Sequence, residues 1–196
     1  MKKLILILFC IYSSILFCQN KNYNPTFIDK CLNKVVKLEF SIDSFPKVKF
    51  ISIYVEKKDD WVSNYFEILN LKKDTIFIPR ILLSTGNELH SKRWKYFNCN
   101  KIANNLEIDY YNNGNKRLEG KFIDGIPIEI IEYEETGIID TKTFFKFGSL
   151  RPIRINYFDF KGDIYEFEIY KHRRRKTIIK RYNRNNKLIS KEIEKH

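Results

Sequence analysis

Tyr110-Tyr111-Asn112-Asn113-Gly114-Asn115-Lys116-Arg117-Leu118-Glu119-Gly120-Lys121-Phe122-Ile123-Asp124-Gly125 contains two turn signals, Asn113-Gly114 and Asp124-Gly125, separated by eleven residues. Asn-Gly and Asp-Gly tolerate the positive φ angles that tight hairpins require, so each marks the end of one strand and the start of the next. The beat continues downstream. Gly137 and Gly148 repeat the eleven-residue interval, and Tyr110, Tyr133, Tyr157 and Tyr182 recur at intervals of 23, 24 and 25 residues. A fixed period outranks local propensity when a fold is inferred. Between the turns polarity alternates: Ile126, Ile128 and Ile130 share one parity, as do Thr141, Thr143, Phe145 and Phe147, and then Tyr165, Phe167 and Ile169. The expectation is a mainly β protein whose carboxyl-terminal half, 101–196, is an antiparallel β-meander of repeated hairpins.

The quoted stretch resembles one copy of the MORN-repeat variant, whose pattern is an aromatic pair, Asn-Gly, a short polar run, Glu-Gly and a second glycine turn. The second copy keeps Tyr133, Gly137 and Gly148 but has Asp140-Thr141 near the Glu-Gly position. The third keeps Tyr157 and Gly162 and has Arg173 at the second turn, and the fourth starts at Tyr182 and Asn186. Members of that family are often labelled antitoxins of toxin–antitoxin pairs. The resemblance implies a repeat surface and carries no catalytic residue with it.

Upstream the texture changes. Lys2 and Lys3 precede an apolar run from Leu4 to Phe17, after which Cys18-Gln19-Asn20 opens a polar chain. A charged start and an apolar run shorter than the roughly 20 residues of a spanning helix read as a secretory signal over 1–18, with cleavage before Gln19. The alternative is a lipid anchor on Cys18. Export leaves Cys31 and Cys99 as the mature cysteines, and an even pair outside the cytosol invites a disulfide; the other reading is two buried thiols that never meet.

Residues 19–100 form a β-rich amino-terminal region. Thr26-Phe27-Ile28-Asp29 resembles a capping box, and Phe27, Cys31 and Val35 follow at helical spacing, which predicts a short amphipathic helix. Strands are expected over Val36 to Ile42, Lys47 to Glu56, Tyr65 to Leu71 and Thr75 to Leu83. The join from Leu71 to Pro79 resembles the edge of an immunoglobulin-like sandwich; alternatively these strands extend the meander. The polar run Asn98, Asn100, Asn104, Asn105 suggests the boundary between the two regions.

The net charge of +12 is unevenly distributed, because Lys171 to His196 holds eleven Lys or Arg against two Glu. Its densest part contains Lys171, Arg173, Arg174, Arg175 and Lys176, a candidate anion-binding cluster for phosphate, a lipid headgroup or an acidic polysaccharide. The competing reading is a solvated hairpin tip whose charges discourage edge pairing. The aromatics alternate into strands and no nucleic-acid module is recognisable, which argues against nucleic acid as a partner. His90 is the one ordinary candidate for a general base, and the acidic run Glu132, Glu134, Glu135 beside Tyr133 invites comparison with paired-carboxylate enzymes. Glu132 and Glu134 alternate with Tyr133, however, as the wet face of a strand does. No catalytic residue, cofactor or metal site is assigned. The expected role is that of an exported, non-enzymatic β-repeat protein, an interaction or scaffold module for an unknown protein or anionic envelope component. The alternatives are a small secreted hydrolase and an antitoxin-like neutralising protein.

Overall fold

The computed structural model describes residues 25–37, 39–45, 48–57, 60–67, 74–85 and 94–196, and over 39–67 and at 85 it describes backbone alone. Everything described is β structure, without a helix, arranged in three sheets.

The largest sheet is the meander that the turn spacing predicts. Strands β10 (Asn105–Tyr110), β11 (Lys116–Ile123), β12 (Ile126–Tyr133), β13 (Ile139–Phe145), β14 (Pro152–Phe158), β15 (Ile164–Arg173), β16 (Lys176–Asn183) and β17 (Leu188–Lys195) pair in chain order, every pair antiparallel. At one end of the sheet four turns close identically. The N–H of Tyr111, Glu134, Asp159 and Asn183 donates to the carbonyl four residues on, and Gly114, Gly137, Gly162 and Asn186 close the turn in the positive-φ region. Each of these hairpins also carries a register shift just inside its turn, at Tyr110, Tyr133, Phe158 and Tyr182. The repeated aromatic of the third unit is therefore Phe158, and Tyr157 lies one residue out of step and on the other face.

A second shift, between Lys121 and Phe122, corrects the alternation read over Ile126, Ile128 and Ile130. A bulge inserts one residue and reverses parity beyond it. Consequently Pro127 and Ile130 are buried while Ile128 is exposed. Proline donates no ladder hydrogen bond and is tolerated at such an irregularity.

Strands β3 (Glu39–Phe45), β4 (Val48–Lys57), β5 (Asp60–Glu67), β7 (Ile81–Thr85), β8 (Lys95–Asn98) and β9 (Lys101–Ile102) form the second sheet. The third is small: β1 (Thr26–Asp29) pairs antiparallel with β2 (Lys34–Val36) and parallel with β6 (Thr75–Ile78). The expected amino-terminal helix is thus a hairpin. The Asp29 carboxylate, read as part of a capping box, accepts from the N–H groups of Cys31 at 2.7 Å and Leu32 at 3.2 Å and so closes a turn that Asn33 leaves at φ 49°. Pairing with β6 supplies the backbone partners that a helix would have supplied internally, and it overrides a weak local preference. The single strand expected over Thr75 to Leu83 is likewise two strands in different sheets. Pro79 interrupts it, and the N–H groups of Arg80 and Ile81 turn toward the Asp109 carboxylate, at 3.1 and 3.5 Å. Residues 68–73, which include the first three positions of the join likened to an immunoglobulin edge, lie outside the described residues.

The core sits where β7 and β8 lie against β10 and β12. Ile81, Ala103, Leu118, Phe122 and Ile130 form its buried cluster, with Tyr96 and Phe145 packed against it. Gly120 makes this possible: a Cβ there would stand 2.5 Å from the Phe122 ring, which folds across the bare backbone.

Candidate functional site

Directly opposed residues on paired strands project to the same face of a sheet, so the registers sort every side chain of β14–β17. One face, continuous with Leu118, Gly120 and Ile130, is the inner face; the other is the outer face. On the outer face the residues fall into rows. Arg173, Lys176 and Lys195 are in register across β15, β16 and β17; behind them come Lys171, Ile178 and Ile193; then Arg154, Ile169, Lys180 and Lys191; then Asn156, Phe167, Tyr182 and Leu188. All four glutamates of these strands, Glu166, Glu168, Glu192 and Glu194, project to the inner face.

The outer face is accordingly basic and apolar, with no carboxylate on these four strands. No described carboxylate lies within ion-pair distance of its seven cations. Ile169, Ile193 and Leu188 are more than 40% exposed between them. Arg154 is held in place: its guanidinium lies 4.4 Å over the Phe167 ring, its Nε donates to Asn156 Oδ1 at 2.7 Å, and Phe167 stacks on Tyr182 at 5.1 Å. A desolvated cation over an aromatic face is stabilised by the ring quadrupole.

The five residues expected to bind anions divide between the sheet and its turn. Lys171, Arg173 and Lys176 join the outer face, whereas Arg174 and Arg175 are the two residues of the β15–β16 turn. His172 points to the inner face. Sequence reasoning missed Arg154, Lys180, Lys191 and Lys195, because their common face depends on register. Period-two parity within each strand was available as a signal, but the bulges reset it between strands.

The inner face carries a polar network. Glu168 Oε2 accepts from the Tyr170 hydroxyl at 2.6 Å and the Tyr157 hydroxyl at 3.1 Å. Arg181 Nε lies 3.1 Å from Glu166 and 3.4 Å from Glu168, a charge contact in which its N–H is aimed at neither. Burial, then the Glu168 carboxylate, pushes the Tyr157 hydroxyl up to about 12 and the Tyr170 hydroxyl higher still. Both are therefore neutral donors at ordinary pH, not nucleophiles. Beside them the Thr177 hydroxyl lies 3.1 Å from His172 Nδ1 and 2.9 Å from His196 Nε2, and His172 Nε2 lies 2.6 Å from the Pro152 carbonyl. The carbonyl can only accept, so Nε2 carries a proton. In neutral His172 the Thr177 hydroxyl then donates to Nδ1 and accepts from His196. This chain pins the end of β17 to β14 and β15.

Among the carboxylates considered for catalysis, Glu132 accepts from Thr141 Oγ1 at 3.1 Å, Glu134 accepts from Thr136 Oγ1 at 3.3 Å, and the Glu135 carbonyl takes the Asn113 and Asn115 side chains. His90 lies outside the described residues. A hollow of about 70 Å³ lined by Ile123, Ile126, Pro127, Ile128, Phe147 and Gly148 is far below the roughly 300 Å³ of a small-molecule pocket. Among the described residues no cluster of three or more potential metal ligands occurs, and no helix is long and apolar enough to cross a membrane. The Sγ atoms of Cys31 and Cys99 are joined, with Cα atoms 5.4 Å apart. Compared with protein-family models, with curated proteins and with solved structures, the chain matches none.

Proposed function

We propose that this is an exported, non-enzymatic β-repeat protein of the bacterial cell envelope or extracellular space, which presents one sheet face to an anionic component. The observation that carries this reading is the sorting of charge across β14–β17: cations and apolar groups outward, glutamates inward. Net charge alone would serve solubility, but a single-signed face attracts a partner of opposite sign and raises its local concentration. The apolar run behind Lys2 and Lys3 supports export. So does the Cys31–Cys99 disulfide, since such bonds persist outside the reducing cytosol. The resemblance of Tyr110 to Gly125 to the MORN-repeat variant fits a display role.

Two measurements test it. Fractionation with intact-mass analysis should find the mature chain outside the cytosol, either starting at Gln19 or acylated at Cys18, with one disulfide; a full-length, reduced cytosolic chain would overturn export and favour partner neutralisation. Retention on anionic matrices should exceed that on neutral ones and fall steeply with salt. Equal retention on both would remove the charge argument.

A further inference from the structure

We infer that the anion-binding surface is the outer face of β15–β17 rather than the arginine turn, and that its occupant is a linear acidic polysaccharide lying across the strands. This rests on the proposed function and specifies its site and ligand class.

Arg173, Lys176 and Lys195 oppose one another directly on three strands, and Lys180 opposes Lys191. Like charges in directly opposed positions destabilise a sheet. Protection of an open edge explains lysines on β17, which is exposed along its whole length. It does not explain Lys176 and Lys180, which lie on β16, paired on both sides. Interior cations stacked on cations without a carboxylate are what a bound polyanion would relieve.

The shape of the face selects among polyanions. Adjacent strands are about 4.8 Å apart and rotate by about 20–25° each, so the rows wind by roughly 60–75° over β14–β17. A flexible chain can follow that path, whereas a flat bilayer touches only part of it. Lysines outnumber arginines on the face, and ammonium groups meet anions as separate point charges without a forked geometry, which suits single charges spaced along a linear chain. The same face of a second copy is a poor occupant, because every glutamate of β14–β17 projects to the opposite face and two such faces would meet cation against cation.

The test compares Lys191→Glu with Arg174→Glu, which change net charge equally. The probes are polygalacturonate, long-chain polyphosphate and anionic-lipid vesicles. Lys191→Glu places a carboxylate opposite Lys180, so it should raise the thermal midpoint by about 1–3 °C while weakening polygalacturonate binding at least tenfold. Arg174→Glu should weaken it less than threefold. Opposite signs for stability and binding separate a ligand-binding role from a structural one. Lys180→Gln, which adds no carboxylate, should show the same ordering in binding and covers the case in which the first variant folds poorly. Equal losses for the face and turn variants, or a falling midpoint in a folded Lys191→Glu, would overturn the site. Tighter binding to vesicles or to polyphosphate would overturn the ligand class. A wild-type chain that binds none of the three probes would instead sink the parent reading.

Discussion

The two ends of the eight-stranded sheet use the same hairpin unit and hold it together differently. Around β10–β12 the inner face is backed by a second layer, and Leu118, Phe122 and Ile130 bury against Ile81 and Ala103. Around β14–β17 the buried residues are few and mostly polar, Asn156, Phe167 and Thr177, and each is satisfied by neighbours in the same sheet. Recurring turns and backbone pairing are enough to extend a meander, while a core requires something to pack against. Among the described residues no second layer packs on that end, which relies on cross-strand contacts of roughly 0.2–1 kcal/mol each.

The junction of the two regions has its own device. Asp109 is fully buried, and its carboxylate meets Arg117 Nε at 2.7 Å and the backbone N–H groups of Arg80 and Tyr110 at 3.1 and 2.9 Å. Arg117 also donates to the Ile81 carbonyl at 2.7 Å. Arg117 is the residue that the first bulge inserts, so a repeat irregularity becomes the bolt between the sheets.

The contrast should be broken most severely in the core. Phe122→Ala is expected to cost about 3–5 kcal/mol in urea unfolding. Phe167→Ala should cost about 1–2 kcal/mol, since Arg154 and solvent can close the space; equal costs would mean that the far end has a core of its own. Replacing Cys31 and Cys99 by Ser opens a loop of 68 residues and should remove about 4 kcal/mol in the chain-entropy model. Hydrogen exchange should then rise in β1 and β8 and stay unchanged in β16; uniform loosening would show that the regions unfold as one.

The glycine turns sharpen the comparison at smaller scale. Gly125 has φ +74°, and an added Cβ would meet Lys95 Cβ at 2.7 Å and the Tyr96 carbonyl at 3.0 Å, whereas at Gly162, φ +82°, nothing lies within 4 Å. Gly162→Ala should therefore cost only the left-handed conformation, about 1–2 kcal/mol. Gly125→Ala should cost visibly more, because the contact with the second layer must also yield; indistinguishable melting curves would refute the close packing there. The smallest effect is alkaline. The Tyr157 hydroxyl titrates near 12 in the folded chain against 10.0 ordinarily. A folded value raised above the unfolded one contributes stability that is present below pH 10 and lost as pH rises toward 12. Tyr157→Phe should flatten that part of the urea-midpoint profile between pH 10 and 12, and an unchanged slope would show that the Glu168 network does not report on folding.

Legibility from residues followed the range of the interactions involved. Asn113-Gly114 and Asp124-Gly125 act within four residues, and their turns fall where the spacing puts them. Tyr157 misled by one position because an aromatic at the right interval does not reveal where a bulge lies. Thr26 to Val35 misled more, because capping-like residues close a hairpin as readily as they start a helix once a parallel partner such as β6 is present. For the basic cluster, composition located the charged segment but not its surface. Lys171 and His172 are adjacent and point to opposite faces, while Lys180 and Lys191 are eleven apart and touch the same row.

Turn chemistry and period-two alternation are local properties of the chain, so the amino-acid order alone determined the strand-rich class, the hairpin repeat and the concentration of positive charge in the last segment. Faces, layers and partners are not local. Which cations stand together, which half of the sheet acquires a core, and how Asp109 joins the sheets were decided by strand register and by the packing of β7 and β8. A one-residue shift inverts every side chain beyond it, and no short stretch of sequence encodes that sum.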